Sequence, residues 1–319
     1  MNLVEAMKYA HIPLALNGKA GEEVMILTDS RTDPLIGQAL AAAAFEMGME
    51  PTLMTIVARA AHGHEPPKGA AEAMKGVFLL ICATSTAMTH TDAVRGALRQ
   101  GVKYISMPSI TLDMLCNGAA TADYQEVDRI TATVADILNR GSKVRVTSPQ
   151  GTDLVLSIAQ RPCFPLSGIV HPGTIAGFPD GEAAIAPVEG TTEGTLVFDQ
   201  TMHTMGLLTE PIAFTVSKGR VVEVRGGAQA KALEELWQRH GDDNSRQIGE
   251  FAVGTNPKAR ISGNATEDKK RAGTIHIGLG DNSTLAGKVV SATHLDGVLS
   301  QPTVWVDGHL LVDGGKLKV

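Results

Sequence analysis

The residues best suited to chemistry are carboxylates and imidazoles in the second half of the chain. The stretch SATHLDG carries His294 and Asp296, and because side chains alternate along a strand, these two would share one face. An imidazole and a carboxylate that converge on one point can hold a divalent cation. About one His with an acid two places later is expected by chance in a chain with 10 His and 34 acids, so the pair alone decides nothing.

Three further segments place a possible ligand at a turn or in a strand. Glu182 follows a Pro-Asp-Gly turn at the start of an apolar strand, and Glu250 lies among apolar residues in RQIGEFAVG. His276 lies in TIHIGLG, where glycines mark the close approach of a ligand or another backbone. Taken singly, each has an ordinary alternative: a turn residue, a surface acid or a hydrogen-bonded core histidine. Together the five oxygen and nitrogen donors, without sulfur, favour zinc, cobalt, manganese or ferrous iron.

A further candidate lies in the first half of the chain. The segment ATSTAMTHTD places His90 at the carboxyl end of an apolar strand, the edge where open α/β sheets bind their ligands. Helix capping explains Thr89 and Thr91 equally well. His90 is therefore a candidate catalytic residue with a structural alternative.

Composition excludes several classes of function. The chain has 319 residues, a formal charge of −6 and no run of Lys or Arg, which argues against nucleic acid or a membrane surface as partner. Its three cysteines, without a CxxC, argue against a disulfide framework or a thiolate zinc site. Neither a secretory signal nor an apolar run of about 18 residues is present. We expect a cytoplasmic globular protein.

Two domains are predicted to position these residues. Strands at 22–29, 51–57, 77–84 and 104–110 alternate with helices, which predicts an α/β, small doubly wound (Rossmann-like) parallel-sheet domain over residues 1–140. From residue 141 to 319, alternating strands and the hairpin at 144–158 predict a β-rich α+β domain. The metal-ligand candidates all fall in this second domain.

The second half resembles a known family. The segments GFPDGEAAIAPVEGTTEG, GEFAVGTNP, GTIHIGLGDN and THLDG, in this order, resemble the metal-binding segments of leucyl aminopeptidases of the aminopeptidase T type. The resemblance implies a dinuclear centre of zinc, cobalt or manganese, two ions per chain, in a homo-oligomer. It assigns the metal ligands as Glu182, Glu250, His276, His294 and Asp296. The Tyr that follows the first ligand His in that family has no counterpart here.

A sister group shows the same order of segments. The 2,5-dihydroxypyridine 5,6-dioxygenases hold one ferrous iron with two His and one Asp, and end in the same His-x-Asp. Their catalytic histidine would correspond to His90. Their first ligand His falls at or near Glu250, where this chain has an acid, and His240 is a weaker candidate for that role.

Three functions follow from these observations. The first is a metal-dependent hydrolase in which activated water attacks the carbonyl of a peptide or small-molecule amide, with Glu193 or Glu267 moving protons. The second is a ferrous ring-cleaving dioxygenase. The third is a non-catalytic binding protein that uses the metal for stability.

Overall fold

The computed structural model describes residues 2–319, and the chain divides into two compact units. The N-terminal unit comprises Met1–Tyr124 and Leu166–Asp180, and the C-terminal unit comprises Gln125–Pro165 and Gly181–Val319. The sequence places the boundary near residue 140, whereas the division falls at the start of a long helix. Residues 166–180 return to the first unit because they supply its last strand.

The N-terminal unit is built on a parallel sheet with strand order β2-β1-β3-β4-β8. Its strands are β1 (Glu23–Asp29), β2 (Glu50–Ile56), β3 (Leu79–Ala83), β4 (Lys103–Ser106) and β8 (Ile175–Gly177). Its helices are α1 (Leu3–Asn17), α2 (Pro34–Glu46), α3 (Lys68–Ala73), α4 (Asp92–Arg99) and α5 (Leu112–Cys116). The predicted parallel-sheet α/β region is confirmed, and α1 is an element that the sequence analysis did not predict.

Local sequence explains these elements. Strands β1 and β3 are apolar runs buried along almost their whole length, as expected for strands covered on both faces. Asp33 caps the N-terminus of helix α2 by accepting the backbone N–H of Leu35, and Pro34 follows as the first helical residue. Thr91 precedes helix α4, and its side chain accepts the backbone N–H of Val94. Thr91 therefore caps a helix, as the structural alternative for this segment predicted.

The C-terminal unit contains two sheets. The eight-stranded sheet has the order β14-β13-β10-β6-β5-β18-β19-β20, and the seven-stranded sheet has the order β12-β11-β17-β16-β15-β9-β7. The first nine of these strands in the chain are β5 (Lys143–Thr147), β6 (Asp153–Ser157), β7 (Cys163–Leu166), β9 (Glu182–Ile185), β10 (Glu193–Phe198), β11 (Thr201–Met202), β12 (Gly206–Leu207), β13 (Ile212–Ser217) and β14 (Arg220–Arg225). The others are β15 (Ile248–Gly254), β16 (Ile275–Gly280), β17 (His294–Leu299), β18 (Thr303–Val306), β19 (His309–Asp313) and β20 (Lys316–Leu317).

Helices and apolar side chains complete this unit. Its helices are α6 (Tyr124–Arg140), whose first residue belongs to the N-terminal unit, α7 (Ala228–His240) and α8 (Ala265–Asp268). The core contains Phe198 and Phe214, whose rings meet edge to face at 5.1 Å, together with Trp237 of α7. A β-rich second region with antiparallel pairing was predicted, and the structure confirms it.

Across residues 2–319, no helix combines the length and the apolar character required to span a membrane.

Candidate metal centre

Four neighbouring strands of the seven-stranded sheet carry the five ligand candidates. Strand β9 carries Glu182, β15 carries Glu250, β16 carries His276, and β17 carries both His294 and Asp296. The pairing is antiparallel throughout, in the order β17-β16-β15-β9. Residues separated by more than 100 positions in the sequence are thereby brought onto one sheet, which no local pattern could show.

The strand register places the donors around one glycine. Gly278 on β16 lies opposite Glu250 on one side and opposite Asp296 on the other. A Cβ at Gly278 would lie 2.8 Å from Glu250 Cβ, 2.8 Å from His294 Cε1 and 3.1 Å from Asp296 Oδ1. The donors therefore converge over a position that accepts no side chain. This is the close approach that the glycines beside His276 indicated.

The donors form two groups that share one carboxylate. Ligand atoms of Glu182, Glu250 and His276 lie within 4.8 Å of one another, and so do those of Glu250, His294 and Asp296. His294 is partly exposed, whereas the other four are buried. Glu250 belongs to both groups because its Oε1 lies 3.1 Å from His276 Nε2 and its Oε2 lies 3.0 Å from His294 Nε2.

A backbone hydrogen bond on the side of the ring away from the other donors fixes the orientation of His294. Its Nδ1 donates a hydrogen bond to the carbonyl oxygen of Asp281 at 2.6 Å, since a carbonyl can only accept. Its Nε2 lies 2.9 Å from Asp296 Oδ1 and 3.0 Å from Glu250 Oε2. Two acceptors thus face one nitrogen, and either a proton or a metal ion is needed between them. A backbone carbonyl behind a histidine is the usual support of a metal-binding imidazole.

The carboxylates are charged in spite of burial. Burial alone would raise the pKa of Asp296 and Glu182. Nearby positive charges, of which Lys269 has the largest effect, outweigh burial and hold both pKa values below their usual range. Burial also opposes the charged form of His294, yet the Asp296 carboxylate outweighs it and raises the pKa of this imidazole well above its ordinary value. The metal-free centre is therefore a cluster of buried charges, which is stable only while each charge has a partner.

Two lysines that the sequence analysis did not single out contact these acids. Lys269 Nζ lies 2.8 Å from Asp296 Oδ2 and 3.6 Å from Glu182 Oε1, and Lys270 Nζ lies 2.6 Å from the same Glu182 oxygen. Both follow the short helix α8. Their sequence context, NATEDKK, is that of an ordinary surface turn, so nothing in it indicated burial.

His203 is a second residue that sequence analysis missed. Its Nδ1 accepts the backbone N–H of Asp296 at 3.2 Å, and the backbone N–H of His203 donates to the carbonyl oxygen of Asp296 at 2.9 Å. A ring nitrogen that accepts carries no proton, so the proton of this neutral imidazole is on Nε2. Burial lowers the pKa of His203 to about 4, which keeps the ring neutral near pH 7.

The remaining predicted residues belong to neither group of donors. His90 is an exposed residue of the N-terminal unit, and its backbone carbonyl accepts a hydrogen bond from Arg95. Glu193, on β10, is exposed and accepts the backbone N–H of Lys218. Glu267 is buried in α8 and forms an ion pair with Arg260 at 3.5 Å, and His240 ends α7 on the surface. Neither group of donors includes any of these four.

The donor set fits a divalent cation. Glu182 Oε2 is buried and forms no hydrogen bond with the described residues, and the same holds for Nδ1 of His276. Buried carboxylate oxygens without a donor are costly unless a cation occupies the space before them. Oxygen and imidazole ligands without thiolate suit zinc, cobalt, manganese or ferrous iron. The structure thus contains a candidate metal centre in the seven-stranded sheet.

Comparisons with known proteins found two solved structures that share the fold of this chain. The solved structure of 2,5-dihydroxypyridine dioxygenase from Pseudomonas putida KT2440 matches with a TM-score of 0.86 and 19% identity, covering 99% of this chain and 98% of the other. Wild-type AmpT from Thermus thermophilus matches with a TM-score of 0.69 and 18% identity, covering 99% of each chain. At these identities the likeness shows a shared fold. The comparison with curated protein sequences gave no match.

Relatives of both groups that the sequence resembles, the dioxygenases and the aminopeptidases, are therefore found among the solved structures. The family comparison distinguishes between the two groups. It favours the dioxygenase group over the aminopeptidases, which the sequence segments had placed first. The model of the NicX family, 2,5-dihydroxypyridine 5,6-dioxygenase, matches residues 14–319, and the chain therefore belongs to this family.

Proposed function

We propose that this member of the family is a metal-dependent hydrolase acting on a peptide or small-molecule amide. The observation that carries the proposal is the shared Glu250, which joins two groups of three donors into one centre. A divalent cation held there supplies Lewis acidity, which polarises a carbonyl group and makes water nucleophilic near neutral pH. The ligands would be Glu182, Glu250, His276, His294 and Asp296.

The chain's own residues support the reaction in distinct ways. The Asp281 carbonyl fixes the His294 ring so that Nε2 faces the centre. Gly278 leaves the space above the sheet open between the donors. His203, with its proton on Nε2 and 31% of its side chain exposed, can donate a hydrogen bond to a substrate oxygen without adding charge. Such a donor would take the place of the Tyr, because no Tyr follows His276.

The test compares hydrolysis before and after metal removal. The full chain is treated with a chelator, reloaded with zinc, cobalt or manganese, and assayed against a panel of aminoacyl amides. Asp296→Asn should lose both metal binding and hydrolysis, because it removes the charge of a buried ligand. Asp313→Asn is the matched control, since Asp313 is an exposed acid paired with Lys318 in the same unit. Absence of hydrolysis with every metal would refute the proposal.

The family membership favours a second candidate, a ferrous ring-cleaving dioxygenase. The family model is named for the 5,6-dioxygenase of 2,5-dihydroxypyridine. In this chain the group of Glu250, His294 and Asp296 would hold the iron. It contains one imidazole and two carboxylates, whereas the usual facial triad for oxygen activation has two His and one carboxylate. For this reason hydrolysis remains the first proposal.

The second candidate has its own measurement. Oxygen consumption is followed after 2,5-dihydroxypyridine is added to the protein loaded anaerobically with ferrous iron. Uptake that disappears in Asp296→Asn but persists in Asp313→Asn would support oxygenation over hydrolysis. Hydrolysis without oxygen uptake would reject it.

A further inference from the structure

The loop of residues 281–293 joins β16 to β17 and ends directly before His294. The first peptide group of this loop supports the ring, because the carbonyl oxygen of Asp281 accepts a hydrogen bond from His294 Nδ1 at 2.6 Å. The N–H of the same peptide group belongs to Asn282 and donates to the carbonyl oxygen of Val289 at 3.1 Å. The C=O and N–H of a planar trans peptide point in opposite directions. Val289 therefore holds this peptide group on one side, and His294 contacts it on the other.

The side chain of Asn282 secures Val289 in turn. Asn282 is fully buried, and its Oδ1 accepts the backbone N–H of Val289 at 2.7 Å. Its Nδ2 donates to Glu189 Oε1 at 3.3 Å, and its carbonyl oxygen accepts the backbone N–H groups of Leu285 and Gly287. Each polar group of Asn282 thus has a partner within the protein, as a buried amide requires. Two of these hydrogen bonds join residue 282 directly to residue 289 across the loop.

Glu189, in the segment between β9 and β10, anchors the loop to the rest of the unit. Its Oε1 also accepts the backbone N–H of Lys288 at 2.8 Å, and its Oε2 forms an ion pair with Arg161. Arg161 Nη1 donates to the carbonyl oxygen of Ala286 at 3.0 Å. The loop is therefore bonded at three positions, 282, 286 and 288, to groups outside it.

The far end of the loop is held separately. Asp242 Oδ2 accepts the hydroxyl of Ser291 at 2.6 Å and the backbone N–H of Ala292 at 2.8 Å. Asp281 Oδ2 accepts the backbone N–H of Ser291 at 3.1 Å and so links the two ends of the loop. With both ends fixed, the position of the Asp281 carbonyl depends on the interior of the loop, where Asn282 is the buried side chain that joins its parts.

We infer that Asn282 is a positioning residue, which holds the peptide group between Asp281 and Asn282 so that the His294 ring keeps Nδ1 on the carbonyl and Nε2 towards the carboxylates of the centre. Without its side chain, the buried N–H of Val289 loses its acceptor and the peptide group is free to turn. The role of His294 as a ligand rests on the proposed function, whereas the orientation of its ring can be measured without metal.

The experiment follows the His294 ring by NMR in the chelator-treated full chain, with isotope-labelled histidine. The native protein should show an Nδ1–H signal, assigned by its absence in His294→Gln, because the Asp281 carbonyl protects this proton from exchange with solvent. In Asn282→Ala the proton should exchange about tenfold faster or its signal should be lost, since one buried hydrogen bond is worth about this factor. A manganese titration of the same variant should show affinity about tenfold to a hundredfold weaker than native.

Two further variants make the result specific. Asn139 Oδ1 accepts the backbone N–H of Cys163 at 2.8 Å, which is the same kind of hydrogen bond in the same unit but outside the loop. Asn139→Ala should lower the urea midpoint, as Asn282→Ala does, but keep the Nδ1–H signal and the native manganese affinity. Should Asn282→Ala fail to fold, Gly287→Ala tests the same role, because a Cβ at Gly287 would overlap Asn282 Cγ and displace that side chain. It should show the same two changes.

The outcomes separate this inference from the proposed function. A native Nδ1–H signal and native manganese affinity in Asn282→Ala, or the same two losses in Asn139→Ala, would overturn the inference. A native protein that binds no manganese, zinc, cobalt or ferrous ion would instead overturn the proposed function, and the Nδ1–H signal of the metal-free chain would still decide the role of Asn282.

Discussion

Replacing Gly278 by alanine is the sharpest test of how the sheet builds the metal centre. The added methyl group would meet Glu250 Cβ on β15 and His294 Cε1 on β17, each at 2.8 Å. Ordinary carbon–carbon contacts lie at about 3.5–4.0 Å. The added methyl group and each of these two atoms must therefore move apart by about 0.7 Å. Both neighbours belong to strands hydrogen-bonded to β16, so neither can move away alone.

Because both flanking strands are held in place, Gly278→Ala should reduce both stability and metal affinity. Overpacking of a well-packed interior costs about 1–3 kcal/mol, and we expect the metal-free variant to lose stability in this range. Metal–ligand distances tolerate about 0.2 Å, so displacement of the two donors by more than this should weaken metal binding. We expect a loss of about tenfold to a hundredfold in affinity, as is typical when the support of a metal ligand is disturbed.

Urea unfolding of the chelator-treated protein and a manganese titration measure the two effects separately. Gly69→Ala is the control, because Gly69 lies in α3 and a methyl group there meets no other atom within 4 Å. That control should keep native metal affinity and gain up to about 1 kcal/mol from the better helix former. Native stability and native affinity in Gly278→Ala would show that the donors do not converge over this glycine.

Three other predictions concern single residues. The pKa of His203 falls from its ordinary 6.5 to about 4, so its contribution to stability is present above pH 6.5 and is lost as pH falls towards 4. Metal-free protein should lose up to about 2 kcal/mol from this residue between pH 7 and pH 5, and a comparison of urea midpoints with His203→Asn should show a smaller loss in the variant. Glu250→His completes a two-histidine, one-carboxylate triad, so anaerobic calorimetry should show tighter ferrous iron binding than in the native protein; weaker binding would contradict the triad assignment. Burial raises the pKa of Cys82 and Cys163 to about 12, and both thiols should resist alkylation at pH 8 until the chain is unfolded, as mass spectrometry can verify.

Much of the fold could be predicted because its signals are local. The apolar runs that became β1 and β3, and the Asp-Pro start of α2, act within a few residues and were recognisable in the sequence. Helix α1 carries Pro13 in its interior, which weakened its helical pattern. The return of residues 166–180 to the N-terminal unit could not be predicted, because a single short strand pairing decides it and a three-residue strand leaves no periodic pattern.

Some residues of the candidate site could be predicted from the sequence, and others could not. The five donors were recognisable by type, by their glycine and strand context, and by the order of their segments. Lys269, Lys270 and His203 were not, because their importance comes only from contacts with Asp296 and Glu182. Those contacts join parts of the chain up to 93 positions apart, as between His203 and Asp296.

The sequence by itself determined which chemical groups the chain offers: carboxylates and imidazoles in strands, without thiolates, in an order shared with metal-dependent enzymes. Only the tertiary structure decided that Glu250 stands between two groups, that Gly278 keeps their space open, and that two lysines compete for the same acids. The physical reason is that composition and periodicity act along the chain, whereas electrostatic interaction depends on distances that strand register alone sets.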